Sequence, residues 1–264
     1  MLLTVNIGNS IISFGFFDGD DMVASFHVSC DVKRTSDEYT ATVKAIAKEK
    51  GIRTEDAQGA ILSSVVPPLT ETIRHTVEEF WGEEPLVVGP GVKTGFHIKI
   101  DNPSELGGDM VANTAAAIHL KRADHAVLIA DLGMVNTLSA VSRDGTFLGC
   151  AIYPGIELSL HSLRGETAQL PTVNVGGSEK AIGKNTQTAV RAGVILGGAM
   201  TLDGLVVRFA KEMNLPLDEI DLIATGKSAE DVLPGCKSKF KVVDNLTLLG
   251  LSYIYRHNLD HNRH

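Results

Sequence analysis

Aromatic residues are scarce in this chain, at 5% of 264 residues, with a single tryptophan. A core built from such a sequence is expected to be mainly aliphatic. Cysteine is scarcer still. Cys30, Cys150 and Cys236 are odd in number and widely spaced, which suggests neither a disulfide framework nor a cysteine-based zinc site and fits a reducing cytoplasm. Positive charge is also in deficit. The net charge of −8 argues against a nucleic-acid binder that relies on a broad basic surface, while leaving room for a local phosphate pocket. The N-terminus enters an apolar run directly, without a basic leader or cleavage site, and no apolar run is read as membrane-spanning. Low-complexity segments and short-period repeats are missing as well. The length suits two small domains or one large one.

The organising stretch is AVLIADLGMVNTLSAV, residues 126–141. An apolar run ends at Asp131, a small polar turn follows, and a second apolar run returns, which is the pattern of a strand hairpin. The turn carries Gly133, Asn136 and Thr137. A glycine here can take positive φ and let backbone N–H groups converge on an anion. Residues 2–17, LLTVNIGNSIISFGFF, repeat the design around Asn6, Gly8, Asn9 and Ser10. Two ordinary hairpins would be unremarked singly. Their matching form half a chain apart predicts a duplicated α/β fold.

Between the hairpins the periodicity predicts a strand over 22–28 and a helix from Ser36 to about Lys50, with Ser36 as its cap. A buried strand over 57–66, an amphipathic helix over 69–81 and a short strand over 86–88 follow. Gly107-Gly108 then precede Asp109, which opens an alanine-rich helix. A lone acid at a helix start is ordinarily a partner for the helix dipole. The glycine pair weights Asp109 toward function, because it lets a ligand approach the backbone and leaves the carboxylate uncovered.

The second half is read as a strand over 147–153, a helix over 156–163, an extended segment over 166–175, a polar loop at 182–186 and a long helix over 187–212. Gly193, Gly197 and Gly198 mark a face for close packing or self-association. Strands at 222–224 and 240–243 and a helix over 246–255 complete the chain. TGKS at 225–228 is not a P-loop, since Asp221 stands where its first glycine belongs. His257, His261 and His264 are read as part of a solvated tail.

Several motifs together resemble one family. VNIGNS at 5–10, ELGGDMVAN at 105–113, ADLGMVNT at 130–137, LGCAIYPG at 148–155, LPTV at 170–173, IGKNT at 182–186, IATGK at 223–227 and NLTLLGL at 245–251 stand in the order found in type III pantothenate kinases, the Bvg accessory factor family. The resemblance implies a duplicated actin-like, ribonuclease H-like α/β fold of the acetate-kinase, sugar-kinase, Hsp70 and actin superfamily. It implies domains over 1–114 and 115–264, the second with dimerisation helices, and a nucleotide cleft between them. It further implies ATP-dependent phosphorylation of pantothenate, the first step toward coenzyme A, with Mg²⁺ and a monovalent cation, K⁺ or NH₄⁺. A cytoplasmic dimer is expected, with no nucleic-acid or membrane partner.

By position, Asp109 matches the general base and Asp131 the carboxylate associated with the monovalent cation. Gly107, Gly108, Asp109, Met110 and Thr186 match the pantothenate contacts. Asn6, Gly8, Asn9, Ser10, Gly133, Met134, Asn136, Thr137 and Gly226 match the ATP-binding turns. The chain departs from the family at three of these. Asn6 replaces an aspartate, Met110 an arginine and Met134 a threonine. These departures open an alternative: a degenerate paralogue that acts as a half-site subunit of a heteromeric pantothenate kinase, or as a regulatory accessory factor.

Overall fold

A computed structural model describes residues 1–165 and 180–261; the extended segment expected over 166–175, with its LPTV motif, and His264 lie outside the described residues. The chain divides into two units. The first holds Met1–His97, Asp101–His119 and Leu246–His264; the second holds Ile98–Ile100 and Leu120–Asn245. Compared with an expected division at 114/115, the final helix groups with the first unit.

In the first unit, strands β1 (Leu2–Ile7), β2 (Ile11–Asp18) and β3 (Asp21–Ser29) form an antiparallel meander. Strands β4 (Gly59–Ser64) and β5 (Leu86–Val87) extend it in parallel, giving the order β3-β2-β1-β4-β5. Helices α1 (Ser36–Glu49) and α2 (Pro67–Trp81) belong to a core with one set of strand side chains, including Leu3, Val5, Phe14 and Phe16. Helices α3 (Gly108–Leu120) and α8 (Leu246–His261) pack with Leu2, Phe17 and Ile61 of the same strands. This sheet is therefore covered on both sides, which explains its nearly unbroken apolar strands.

One expectation holds here and one changes. The core of this unit is mainly aliphatic, as expected, but it holds an aromatic cluster: Phe14 stacks on Phe26 at 5.1 Å and Phe16 meets Trp81 edge-on at 5.5 Å. The few aromatics are concentrated where one sheet face needs volume. The cap of α1 is Thr35 rather than Ser36, because Thr35 and Glu38 form a reciprocal capping box.

The second unit repeats the topology. Strands β6 (Ala126–Leu132), β7 (Val135–Val141) and β8 (Phe147–Pro154) are antiparallel, and β9 (Ile220–Thr225) and β10 (Lys241–Val242) run parallel to β6, in the order β10-β9-β6-β7-β8. Helices α4 (Ile156–Gly165), α5 (Thr186–Arg191), α6 (Gly197–Glu212) and α7 (Ala229–Val232) complete it. A π-helical turn at Ala192–Leu196 joins α5 to α6.

The stretch Thr186–Glu212 qualifies the reading that no apolar run reaches membrane-spanning length, although Arg191, Asp203 and Arg208 interrupt it. It is one 27-residue helix, most of which is not buried. By length and composition it is long and apolar enough to cross a membrane. Its glycines and alanines obscure a run that is continuously apolar between charges. The terminal histidines also change place: His257 and His261 belong to α8, and Asn258 clasps the backbone of Lys93 in both directions at 3.1 and 2.8 Å.

Candidate active site

The parallel register places Asn6 beside Ser63 and Ile7 beside Ser64 at the C-terminal ends of β1 and β4. Ligands of open α/β sheets bind outside such strand ends, where the connections diverge. Buried Ser63 donates its hydroxyl to Asn6 Oδ1 at 2.7 Å. A Cβ on Gly108 would stand 3.1 Å from Ser63 Cβ, so the start of α3 lies directly against β4. A Cβ on Gly107 would come within 2.7 Å of Asp109 Oδ1. Asn6, Ser63, Gly107, Gly108 and Asp109 thus form one contiguous group inside the first unit.

Asp109 is partly buried, and its Oδ1 accepts the Met110 N–H at 2.7 Å. Loss of hydration pushes its carboxyl above the usual carboxylate range, against the lesser pull of the Met110 amide. A carboxylate with raised pKa is a better proton acceptor for a hydroxyl nucleophile.

The β1–β2 turn holds Gly8, Asn9 and Ser10. Gly8 N–H donates to Ile11 O at 3.0 Å, and Cys30 N–H donates to Ser10 O at 3.1 Å. The Ser10 hydroxyl is buried with no hydrogen-bond partner. The turn contains no carboxylate, and among the described residues no group of three or more His, Cys, Asp or Glu is placed to hold a metal ion. Asn6 offers a divalent cation only a neutral amide oxygen, one lone pair of which already accepts from Ser63, and no carboxylate.

In the second unit, the β6–β7 turn differs from expectation. Gly133 does not have positive φ; the Gly226 backbone does, at +94°. The Gly133 N–H donates to the side-chain oxygen of buried Asn136 at 3.1 Å. One backbone donor read as facing a phosphate is therefore satisfied within the turn. The glycine requirement lies outside the turn. A Cβ on Gly155 would meet Gly133 O at 1.9 Å, and one on Gly226 would meet Leu132 O at 2.4 Å. Gly155 N–H also donates to Met134 O, and Ser228 N–H to Leu132 O, both at 2.9 Å. Met134 and Gly226 are thus fixed by backbone contacts on either side of the turn.

Asp131 stands in register with Thr137 of β7 and Thr225 of β9, which puts one carboxylate and two hydroxyls on one sheet face. This oxygen-rich set fits a monovalent cation. Lys227, beyond the turn, pairs with Glu157 at 2.8 Å. Thr186 opens α5 behind an Asn185 cap, and with Leu163, Gly183, Val190 and Val194 it lines a groove of about 670 Å³.

The sequence reading missed Ser63, the clamp glycine Gly155 and the inward turn of Asn136. Ser63 follows from parallel pairing alone, and no local pattern announces it.

The model of the type III pantothenate kinase family matches residues 2–208. The chain belongs to the type III pantothenate kinase family. Solved structures agree with the fold. A conserved Baf family protein from Campylobacter jejuni, described as a transcriptional activator, is 18% identical over 98% of this chain and 99% of that chain, with a TM-score of 0.58. The activator of 2-hydroxyisocaproyl-CoA dehydratase from Clostridium difficile, with bound ADPNP, is 11% identical over 100% of this chain and 97% of that chain, at 0.54. A ROK hexokinase from Thermus thermophilus is 13% identical over 98% and 99%, at 0.50. The fold of this pantothenate kinase family member is therefore the duplicated actin-like α/β fold.

Proposed function

We propose that this protein phosphorylates pantothenate at the expense of ATP. The observation that carries this reading is Asp109, a carboxylate of raised pKa held at the strand ends beside Gly107, Gly108 and Ser63. The pantothenate hydroxyl attacks the γ-phosphorus, its oxygen forms the new P–O bond, and the bond to the β–γ bridging oxygen breaks, releasing ADP. Asp109 accepts the hydroxyl proton as that bond forms. Gly107, Gly108, Met110 and Thr186 contact pantothenate. The turns at Asn6, Gly8, Asn9 and Ser10, and at Gly133, Met134, Asn136, Thr137 and Gly226, receive ATP. Asp131, flanked by Thr137 and Thr225, holds the monovalent cation, which supplies positive charge against the nucleotide's phosphates.

The working form is a homodimer. Gly197, Met200, Gly204 and Val207 recur at helical spacing along one side of α6, and the last three are exposed. Apart from its chain neighbours and its own helix backbone, no atom lies within 4 Å of a Cβ placed on Gly204. Small residues alternating with apolar ones permit close helix approach, and a second copy of this chain is the occupant with a matching stripe.

Two observations favour a second reading. Asn136 takes up the Gly133 N–H, and Met110 brings no charge for the pantothenate carboxylate. These features suit a half-site subunit that completes the site of an active family member, or an accessory factor. Calorimetric titration of the purified chain with pantothenate and with ATP–Mg²⁺ in potassium buffer separates the readings. Binding of both supports the kinase. Binding of neither removes the autonomous kinase and directs the search to a paralogue that restores activity on mixing.

A further inference from the structure

The β1–β2 turn presents donors where a cation site would present acceptors. Asn6 Oδ1 is engaged by the Ser63 hydroxyl at 2.7 Å, and Ser63 is buried, so the amide has a fixed orientation. Its Nδ2 therefore faces the turn, 4.0 Å from where a Cβ on Gly8 would stand. The Ser10 hydroxyl, four residues on, is buried without a partner. Two backbone groups of the turn are already committed: Gly8 N–H donates to Ile11 O, and Ser10 O accepts from Cys30 N–H. Asn6 Nδ2 and the Ser10 hydroxyl, beside the exposed side chain of Asn9, are able to donate, and none of these groups is charged. An amide N–H directed at a cation is repulsive, whereas the same group directed at a phosphate oxygen forms a charge-assisted hydrogen bond.

We propose that this turn binds a phosphate oxygen of a nucleoside triphosphate directly, through Asn6 Nδ2 and Ser10 Oγ, so that nucleotide binding here does not depend on a divalent cation. The proposal rests on the reading of the protein as an ATP-using kinase. It differs from that reading in assigning the turn a metal-free mode of binding.

The test is calorimetric titration of the full chain with ATP in Mg²⁺ and in EDTA, for the parent, Asn6→Asp and Ser10→Ala. The parent is expected to hold its ATP Kd within about threefold between the two buffers. Asn6→Asp puts a carboxylate against the phosphate and should weaken metal-free binding by about tenfold or more, with recovery in Mg²⁺. Ser10→Ala should weaken binding by about fivefold in both buffers alike. A parent that loses tenfold or more in EDTA overturns the proposal and leaves the kinase reading standing, as does an Asn6→Asp protein whose metal-free binding is unchanged. A parent that binds ATP in neither buffer overturns both. Because the parent's own metal dependence is decisive, the test survives a variant that fails to fold.

Discussion

Burial gives Asp109 two measurable properties. Its carboxyl is pushed above the ordinary carboxylate range, so the acidic limb of kcat/KM against pH should lie above the usual value of about 4 and vanish in Asp109→Asn. That variant should lose about 10²- to 10⁴-fold in kcat. It should also gain stability. The folded state of the parent holds the proton more tightly than the unfolded state does, so parent stability falls as pH rises from the ordinary carboxylate value through the raised one. Asp109→Asn removes that loss, and urea titrations should find it the more stable protein at pH 7 and not at pH 3. Asn136→Ala works in the opposite sense. It strands the Gly133 N–H and should cost about 1–3 kcal/mol, read as a lower urea midpoint. The place of Asp109 in the first turn of α3 was legible because two glycines precede it, whereas its burial was not: the glycine pair does not leave the carboxylate uncovered, as read from the sequence. The setting of Asn6 was not legible either, because Ser63 lies 57 residues away and meets it only through a parallel register.

At the scale of elements, strand hairpins and amphipathic helices were legible wherever one periodicity ran unbroken. Strands β1, β2, β6 and β7 and helix α2 lie where alternation and helical spacing put them. Failures came where the deciding partner is distant or the signal is mixed. The glycine-rich composition of Thr186–Glu212 hid its apolar length, and Gly133 drew attention that belongs to Gly155 and Gly226. Those two glycines were unreadable as packing positions, since their partners, Gly133 O and Leu132 O, sit on another strand turn. Gly155→Ala would drive a methyl group into backbone and should destabilise the protein by about 2–4 kcal/mol in chemical denaturation. Gly193→Ala, a helix position with nothing within 4 Å of the added carbon, should not destabilise the folded chain.

At the scale of the whole molecule, the echo between the two hairpins became a repeated strand order, β3-β2-β1-β4-β5 and β8-β7-β6-β9-β10. The duplication was visible because both copies keep an apolar strand, a small polar turn and a returning strand. The grouping of α8 with the first unit was not, because nothing local in 246–261 names its partners. Close packing of Gly250 against the Ala112 carbonyl ties that helix to α3. The exposed stripe on α6 predicts that the protein sediments as a dimer and that Val207→Glu shifts it to monomer. The central claim is phosphoryl transfer with Asp109 as the base. It is tested most directly by following ATP-dependent formation of phosphopantothenate by the purified chain in potassium buffer, beside folded Asp109→Asn. Turnover by the parent that falls at least a hundredfold in the variant is the predicted result. Turnover absent from the folded parent, or equal in the two proteins, would contradict the account.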